Sequence, residues 1–154
     1  MDPLAKDACC DPTAAALSSA YVTAFNEYAR RTLGYGAGKS FKPSVPLYRS
    51  WDNAHMPPGA GFSPRAALNV MPDLASAMKY NPNLKVQLLG GYYDLATPYF
   101  QGWYEMHHLP IPESLQANIE YHYYPSGHMV YAQETSARAL HDDVTGFITR
   151  NSRH

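Results

Sequence analysis

The chain has 154 residues, of which 45% are hydrophobic and 16% are charged, and its formal net charge is -1 at pH 7. This length suits one globular domain, and the composition is typical neither of a disordered chain nor of a membrane-spanning one. The near-neutral charge and the lack of a basic run predict no nucleic-acid partner. No apolar stretch approaches the roughly 20 residues that a spanning helix needs, so we expect no membrane partner.

The N-terminal region leaves the cellular compartment open. Residues 1–4 do not form a basic segment that leads into an apolar run, so we predict no signal peptide in this chain. Cys9 and Cys10 are the only cysteines. Disulfide geometry disfavours a bridge between neighbours, and one adjacent pair does not have the spacing of a zinc site. Reduced thiols and bridges to another segment both remain open.

The first part of the chain predicts one helix followed by an irregular segment. Helical spacing of apolar residues extends over 14–33 and ends at glycines. Residues 35–64 are rich in Gly, Pro and Ser and have no lasting periodicity. Because so long a structureless loop is uncommon inside a compact domain, we assign residues 1–64 to a helix and irregular segment of a cap region.

The second part of the chain alternates helices and strands. In order, the patterns predict a helix over 69–80, a strand over 85–91, a helix over 97–108, a strand over 119–124, a turn over 125–128 and an amphipathic helix over 134–150. This order is typical of a parallel sheet with helices packed on it. Two strands make a small sheet by themselves. We therefore predict that residues 65–154 form the C-terminal part of a larger α/β sheet.

Tyrosine is unusually frequent, with 13 residues in the chain. The tyrosines concentrate over 92–104 and over 121–131. Tyrosine joins an apolar ring to a polar hydroxyl, which suits half-wet clefts and interfaces. Half-buried core positions with hydrogen-bonded hydroxyls are the commoner environment, and we predict that environment here.

One titratable residue follows each predicted strand. Asp94 lies in the loop after the first strand and His128 in the loop after the second. Functional residues of open α/β sheets lie beyond the carboxyl ends of strands, and parallel neighbours present those ends at one edge. An Asp that orients a His, which activates a hydroxyl, is the logic of a catalytic triad. The order Asp then His matches the last two members of the α/β-hydrolase triad.

Each of these residues also has a purely structural interpretation. Asp94 can cap a turn or the helix that begins near Pro98. His128 can be an ordinary hydrogen-bonded histidine, because residue type alone does not separate it from the other histidines. No set of His, Asp or Glu has a convincing metal-ligand spacing. We therefore predict no metal and no other cofactor.

Two stretches resemble the bacterial serine carboxypeptidases. Residues 81–98, which contain Gly-Gly-Tyr-Tyr-Asp-Leu-Ala-Thr-Pro, resemble the aspartate region of that family. Residues 123–131, Tyr-Tyr-Pro-Ser-Gly-His-Met-Val-Tyr, are similar to its histidine region. A weaker resemblance includes residues 21–26 and 50–52, so the likeness covers most of the chain from about residue 11.

The resemblance implies the C-terminal part of an α/β-hydrolase fold. It implies that Asp94 is the triad acid, His128 the general base and Met129 a wall of the substrate cleft. The reaction implied is hydrolytic release of C-terminal amino acids from a peptide substrate through an acyl-serine intermediate. A periplasmic or secreted location is compatible with the parent family, and the chain itself leaves the location unknown.

The resemblance also shows what the chain lacks. The family nucleophile lies on a Gly-x-Ser-x-Gly turn, and no serine of this sequence has that context. We therefore expect the chain to be inactive alone and to have as partner the N-terminal part of the enzyme or a second copy of the chain. Two other hypotheses remain: a non-catalytic interaction module derived from a truncated hydrolase, and part of another α/β-hydrolase such as an esterase.

Overall fold

The computed structural model describes residues 12–39, 41–42, 50–61 and 69–152. The chain divides into two compact units, residues 1–51 and residues 52–154. The expectations on Cys9 and Cys10 fall outside the described residues. No helix in the described ranges is both long enough and apolar enough to cross a membrane.

The first unit contains the predicted N-terminal helix. Helix α1 covers Pro12–Glu27 and continues as a π-helical turn over Tyr28–Thr32. The wider turn arises because the Leu33 amide donates to the Tyr28 carbonyl, five residues back, at 3.2 Å. Gly34 then takes a left-handed φ of 63°, which ends the helix, as predicted.

The second unit alternates helices and strands largely as the sequence predicted. Its regular elements are α2 (Met71–Tyr80), β1 (Val86–Gly91), α3 (Tyr99–His107), α4 (Glu113–Gln116), β2 (Ile119–Tyr124) and α5 (Glu134–Asn151). The short helix α4 and a 3-10 turn over Val130–Ala132 were not predicted. Residues 52–61 belong to this unit, and the His55 imidazole contacts the Asp73 carboxylate in the first turn of α2 at 2.7 Å.

Strands β1 and β2 pair in parallel, with Val86 opposite Ile119 and Gly91 opposite Tyr124. They form a two-stranded sheet within the described part of the chain. Helices flank this sheet, so the prediction of a parallel sheet with packed helices is confirmed. The register makes both strands end at the same level. The loops that follow them therefore begin side by side.

The two faces of the sheet have different surroundings. One face packs on a small apolar core that α2, α4 and their neighbours contribute, with Ala75, Met78, Leu109, Leu115 and Ile119 buried. The other face contacts α5. The sequence pattern predicts an apolar face for α5, and four of its five residues are partly buried: Ala137, Leu140, Val144 and Phe147. The prediction is wrong for Ile148, which is 55% exposed near the end of the helix.

Strand β1 has an open edge. The amides of Val86 and Tyr92, at its two ends, donate to Asn118 and Tyr124 of the β2 segment. Alternate residues of a parallel strand point to opposite neighbours, so the backbone groups of Gln87 and Leu89 point away from β2. In the described residues no further strand pairs there.

Gly91, the last residue of β1, allows the two loops to approach each other. A Cβ atom at this position would lie 2.3 Å from the carbonyl oxygens of both Ser126 and Gly127. Real Cβ atoms do not come that close to another atom, and backbone carbonyls cannot move aside as a side-chain end can. The Tyr93 amide donates to the Ser126 carbonyl at 3.0 Å, which fixes the crossing.

We predict that Gly91→Ala destabilises the protein and that Gly90→Ala does so much less. Overpacking at position 91 has to displace the loop after β2, which we expect to cost about 1–3 kcal/mol or more. A Cβ at position 90 would meet only the Tyr123 ring, at an ordinary contact distance of 3.5 Å. Urea unfolding of both variants measures the difference. Equal losses of stability would contradict a close approach specific to Gly91.

Candidate functional site

Asp94 is buried, with 7% of its surface exposed, in the turn after β1. Its Oδ1 accepts hydrogen bonds from the amides of Ala96 at 2.8 Å and of Thr97 at 2.9 Å. The structural interpretation of Asp94 as a turn cap is therefore correct for this oxygen. Helix α3 begins later, after Pro98. The second oxygen, Oδ2, accepts from neither of these amides and is left for side-chain contacts.

Oδ2 of Asp94 meets the His128 imidazole. The distance from Oδ2 to Nδ1 of His128 is 2.9 Å. The two side chains differ in exposure, because that of Asp94 is 6% exposed and that of His128 is 63% exposed. The expectation that the loops after β1 and β2 bring these side chains to one edge is confirmed, and their catalytic roles remain a prediction.

Thr97 completes the arrangement, and the sequence reasoning missed its role. Its hydroxyl lies 2.7 Å from Asp94 Oδ2 and 3.4 Å from His128 Nδ1. Three residues after Asp94, Thr97 supplies both an amide and a hydroxyl to the same carboxylate. The Asp-x-x-Thr spacing could have indicated this contact. In turns of this kind the Asp side chain accepts hydrogen bonds from the residues two and three positions later.

Hydrogen bonds keep the Asp94 carboxyl ionised. Burial alone raises its pKa, and this is the largest single influence. The hydrogen bonds from the Thr97 amide and hydroxyl, from His128 and from the Ala96 amide together outweigh burial, so the pKa lies well below its ordinary value of 3.8. An ionised carboxylate only accepts hydrogen bonds. The proton between the two residues therefore belongs to Nδ1 of His128, and Nε2 is the basic nitrogen when the ring is neutral.

Nε2 of His128 is what distinguishes this histidine. Within the described residues it makes no hydrogen bond, and the ring is mostly exposed. His122 also contacts carboxylates, but both of its nitrogens do so, at 3.2 Å to Asp143 and 3.6 Å to Glu120. His122 is thus partly buried against α5, with both ring nitrogens beside carboxylates. His128 combines a fixed orientation with a nitrogen that is open to a reactant.

A cavity of about 400 Å³ lies beside the Asp94–His128 pair. It is lined by consecutive β1 residues, among them Leu88 and Leu89, whose side chains point to opposite faces of the sheet. The cavity therefore follows the open edge of β1. Met129, predicted to line the substrate cleft, is partly buried and is not among its lining residues. The role of Met129 remains a prediction.

Tyrosines form one wall of this region. The rings of Tyr92, Tyr99 and Tyr123 contact one another, with centroids 5.2–5.7 Å apart. The hydroxyls of Tyr121 and Tyr123 are buried without a hydrogen-bond partner in the described part of the chain, so the prediction of hydrogen-bonded hydroxyls is wrong for these two. Burial raises the pKa of both phenols. By contrast, the Tyr124 hydroxyl donates to Asp143 at 2.8 Å.

Neither a metal centre nor a known relative assigns a function. The described residues contain no group of three or more His, Cys, Asp or Glu that could hold a metal ion. Comparison with protein families, curated proteins and solved structures found no match. Function therefore has to be inferred from the side chains and their geometry.

We predict that Asp94→Asn lowers stability in a pH-dependent way. A folded-state pKa below the ordinary 3.8 means that ionisation of Asp94 stabilises the fold above that value. That contribution is lost as the pH falls through the lowered pKa. The difference in unfolding free energy between wild type and variant should therefore persist down to about pH 4 and shrink below it. Urea unfolding across pH 2–7 (about one curve per pH unit) measures this gap.

Asp142→Asn is the control. The Asp142 side chain is 81% exposed and its contact is with the adjacent His141. Loss of its charge should change the unfolding free energy little at any pH, because exposed pairs contribute little. A gap for Asp94→Asn that stays constant into strong acid would show that the Asp94 carboxyl is not held ionised by the fold.

Proposed function

We propose that this chain supplies the acid and the base of a serine-type carboxypeptidase triad, while another polypeptide segment supplies the serine. The observation that carries the proposal is the 2.9 Å contact between the buried Asp94 carboxylate and the exposed His128 imidazole. A buried acid that holds one nitrogen and leaves the other nitrogen open is the geometry of a general base. The resemblance of the two loops to the family motifs supports the same assignment.

In this proposal His128 acts twice. Its Nε2 takes the proton from the serine hydroxyl as that oxygen attacks the scissile carbonyl, and an acyl-serine forms when the C–N bond breaks. The same nitrogen returns the proton to the leaving amino acid. Water then attacks the acyl-serine, with its proton passing through the same nitrogen to the serine oxygen, and the shortened peptide is released. Asp94 orients the ring and stabilises its cation, and Thr97 holds Asp94 in place through Oδ2.

Among the described residues, neither of the aliphatic hydroxyls near the pair, those of Thr97 and Ser126, is placed to act as the nucleophile. Thr97 faces Nδ1 of His128 and its hydroxyl is engaged by Asp94, so it is on the wrong side of the ring. The Ser126 side chain is held by the Met129 carbonyl at 3.4 Å. Nucleophilic attack requires a hydroxyl within hydrogen-bond reach of Nε2. The proposal therefore places the serine on the N-terminal part of the enzyme.

The open edge of β1 supports this docking arrangement. Its free backbone groups at Gln87 and Leu89 can pair with one more strand, and the 400 Å³ cavity along the edge offers room for its side chains. A parallel strand there would end at the same level as β1. Its carboxyl end would then lie at the rim where Asp94 and His128 meet. In this view β1 and β2 are the last strands of an α/β-hydrolase sheet, and Met129 flanks the substrate.

We predict that the chain alone is not labelled by a serine-directed fluorophosphonate. Mixing it with a polypeptide that carries a Gly-x-Ser-x-Gly turn, taken from the coding sequence next to that of Met1, should give labelling of that serine and release of C-terminal amino acids. In the reconstituted enzyme, His128→Ala should lower turnover on the order of a millionfold. Asp94→Asn should lower it about ten-thousandfold, because the imidazole would take the wrong tautomer.

His141→Ala is the matched control. The His141 side chain is 76% exposed and contacts a neighbouring carboxylate, Asp142, at 3.1 Å. The His141–Asp142 pair has the same chemical groups as the His128–Asp94 pair, but both side chains are exposed. Removal of the His141 imidazole should leave turnover unchanged. Labelling of any serine in this chain alone, or full turnover with His128→Ala, would contradict the triad assignment.

A non-catalytic interaction module is the second candidate, and exposed aromatic rings on α3 favour it. Phe100, Trp103 and Tyr104 are 56%, 37% and 47% exposed, and Phe100 stacks on Trp103 with ring centroids 5.4 Å apart. Aromatic patches of this kind are enriched at interfaces. His128→Ala separates the two functions, because it should leave the affinity of a binding module intact and abolish hydrolysis.

A further inference from the structure

A second cavity, of about 440 Å³, lies within the first unit, where the chain turns back beneath the end of its helix. Its distinctive lining side chains are three aromatic rings and three cations: Phe25, Tyr35, Phe41, Arg30, Lys39 and Lys42. Ligand sites commonly combine an apolar wall with a few polar groups that fix orientation. Neither Asp94 nor His128 takes part in this cavity.

Backbone and side-chain contacts build the cavity. The Tyr35 amide donates to the Ala29 carbonyl at 2.9 Å, which folds the chain back after the π-helical turn. The Arg30 guanidinium donates to the Lys39 carbonyl, also at 2.9 Å, and closes the loop. The rings of Phe25 and Phe41 lie 5.0 Å apart and are tilted by 41°. These contacts hold an aromatic pair next to a guanidinium.

The cations of this cavity have no acidic partner in the described part of the first unit. The acidic residue there is Glu27, and its carboxylate is bonded to Arg31 at 2.9 Å. Arg30, Lys39 and Lys42 therefore leave their positive charge uncompensated by that part of the chain. Cations near a helix C-terminus also complement the helix dipole, which applies equally to Arg30 and Arg31. Arg30, unlike Arg31, lines the cavity.

We propose that this cavity binds a small organic anion with an aromatic body. The oxyanion head, a carboxylate or a phosphate, would be held by Arg30 with help from the two lysines, because a guanidinium presents paired donors that match such heads. The aromatic body lies against Phe25 and Phe41. This site is separate from the proposed triad, so either proposal can fail without the other.

The test is a titration of the full chain with phenylacetate, phenyl phosphate and phenylacetamide, followed by amide NMR spectra. The first two probes carry the oxyanion, and phenylacetamide has the same shape as phenylacetate without the charge. We expect saturable shifts over residues 25–42 with at least one anion, and binding about tenfold or more weaker with the amide. The comparison of the two anions identifies the preferred head group.

Arg30→Gln and Arg31→Gln form the matched pair of variants. Each removes one positive charge from the same helical turn, but the Arg31 side chain is 80% exposed and bonded to Glu27. Arg30→Gln should weaken anion binding about tenfold or more, whereas Arg31→Gln should change it less than about twofold. If Arg30→Gln does not fold, Lys42→Gln gives a second test, with a smaller expected loss.

Three results would overturn the proposal. The first is equal or weaker binding of both anions relative to phenylacetamide. The second is an equal loss of affinity in Arg30→Gln and Arg31→Gln, which would indicate general electrostatic attraction. The third is the absence of saturable binding by either anion up to about 10 mM, since weaker affinity falls below that of a specific site.

Discussion

The parallel register of β1 and β2 is the constraint on which the candidate site depends. Because Gly91 lies opposite Tyr124, both strands leave the sheet at one level. The absence of a side chain at Gly91 then lets the second loop cross within contact of the first. A register shifted by one residue would move the imidazole about 3.3 Å along the strand and would turn the side chains of that strand to the other face. The 2.9 Å contact between Asp94 and His128 could not survive such a shift.

Burial distinguishes the Asp94 side chain from the His128 side chain. Asp94 is enclosed and receives hydrogen bonds from two amides, a hydroxyl and an imidazole, so its charge is fixed before any reactant binds. Preorganised groups of this kind do not have to reorient during reaction. His128 is mostly exposed and has little else to hold it. Its orientation therefore depends on Asp94. His122 and His141 also contact carboxylates, but neither joins a buried carboxylate to an exposed imidazole.

The sequence predicted the parts of the structure that local patterns determine. Alternating helices and strands gave the parallel sheet, and residues placed just after strand ends gave the Asp94–His128 contact, since parallel neighbours share an edge. The hydrogen bond from Thr97 to the Asp94 carboxylate was not predicted, because a Thr before Pro is typical of the start of a helix. In the described residues the hydroxyls of Tyr121 and Tyr123 lack hydrogen-bond partners, which could not be predicted. Whether a buried hydroxyl finds an acceptor depends on which distant segments pack against it. No local pattern specifies that.

The two faces of β2 differ in how well their polar side chains are paired. On the α5 face the polar side chains are paired: Tyr124 donates to Asp143, and Glu120 accepts from Arg150 at 2.7 Å. On the opposite face, the hydroxyls of Tyr121 and Tyr123 are buried without partners among the described residues, each at a cost of about 1–3 kcal/mol. Tyr123 also lines the cavity along the open edge of β1. A segment that paired with that edge and supplied acceptors there would recover this cost, so the docking proposed for the serine-bearing segment would also stabilise the fold.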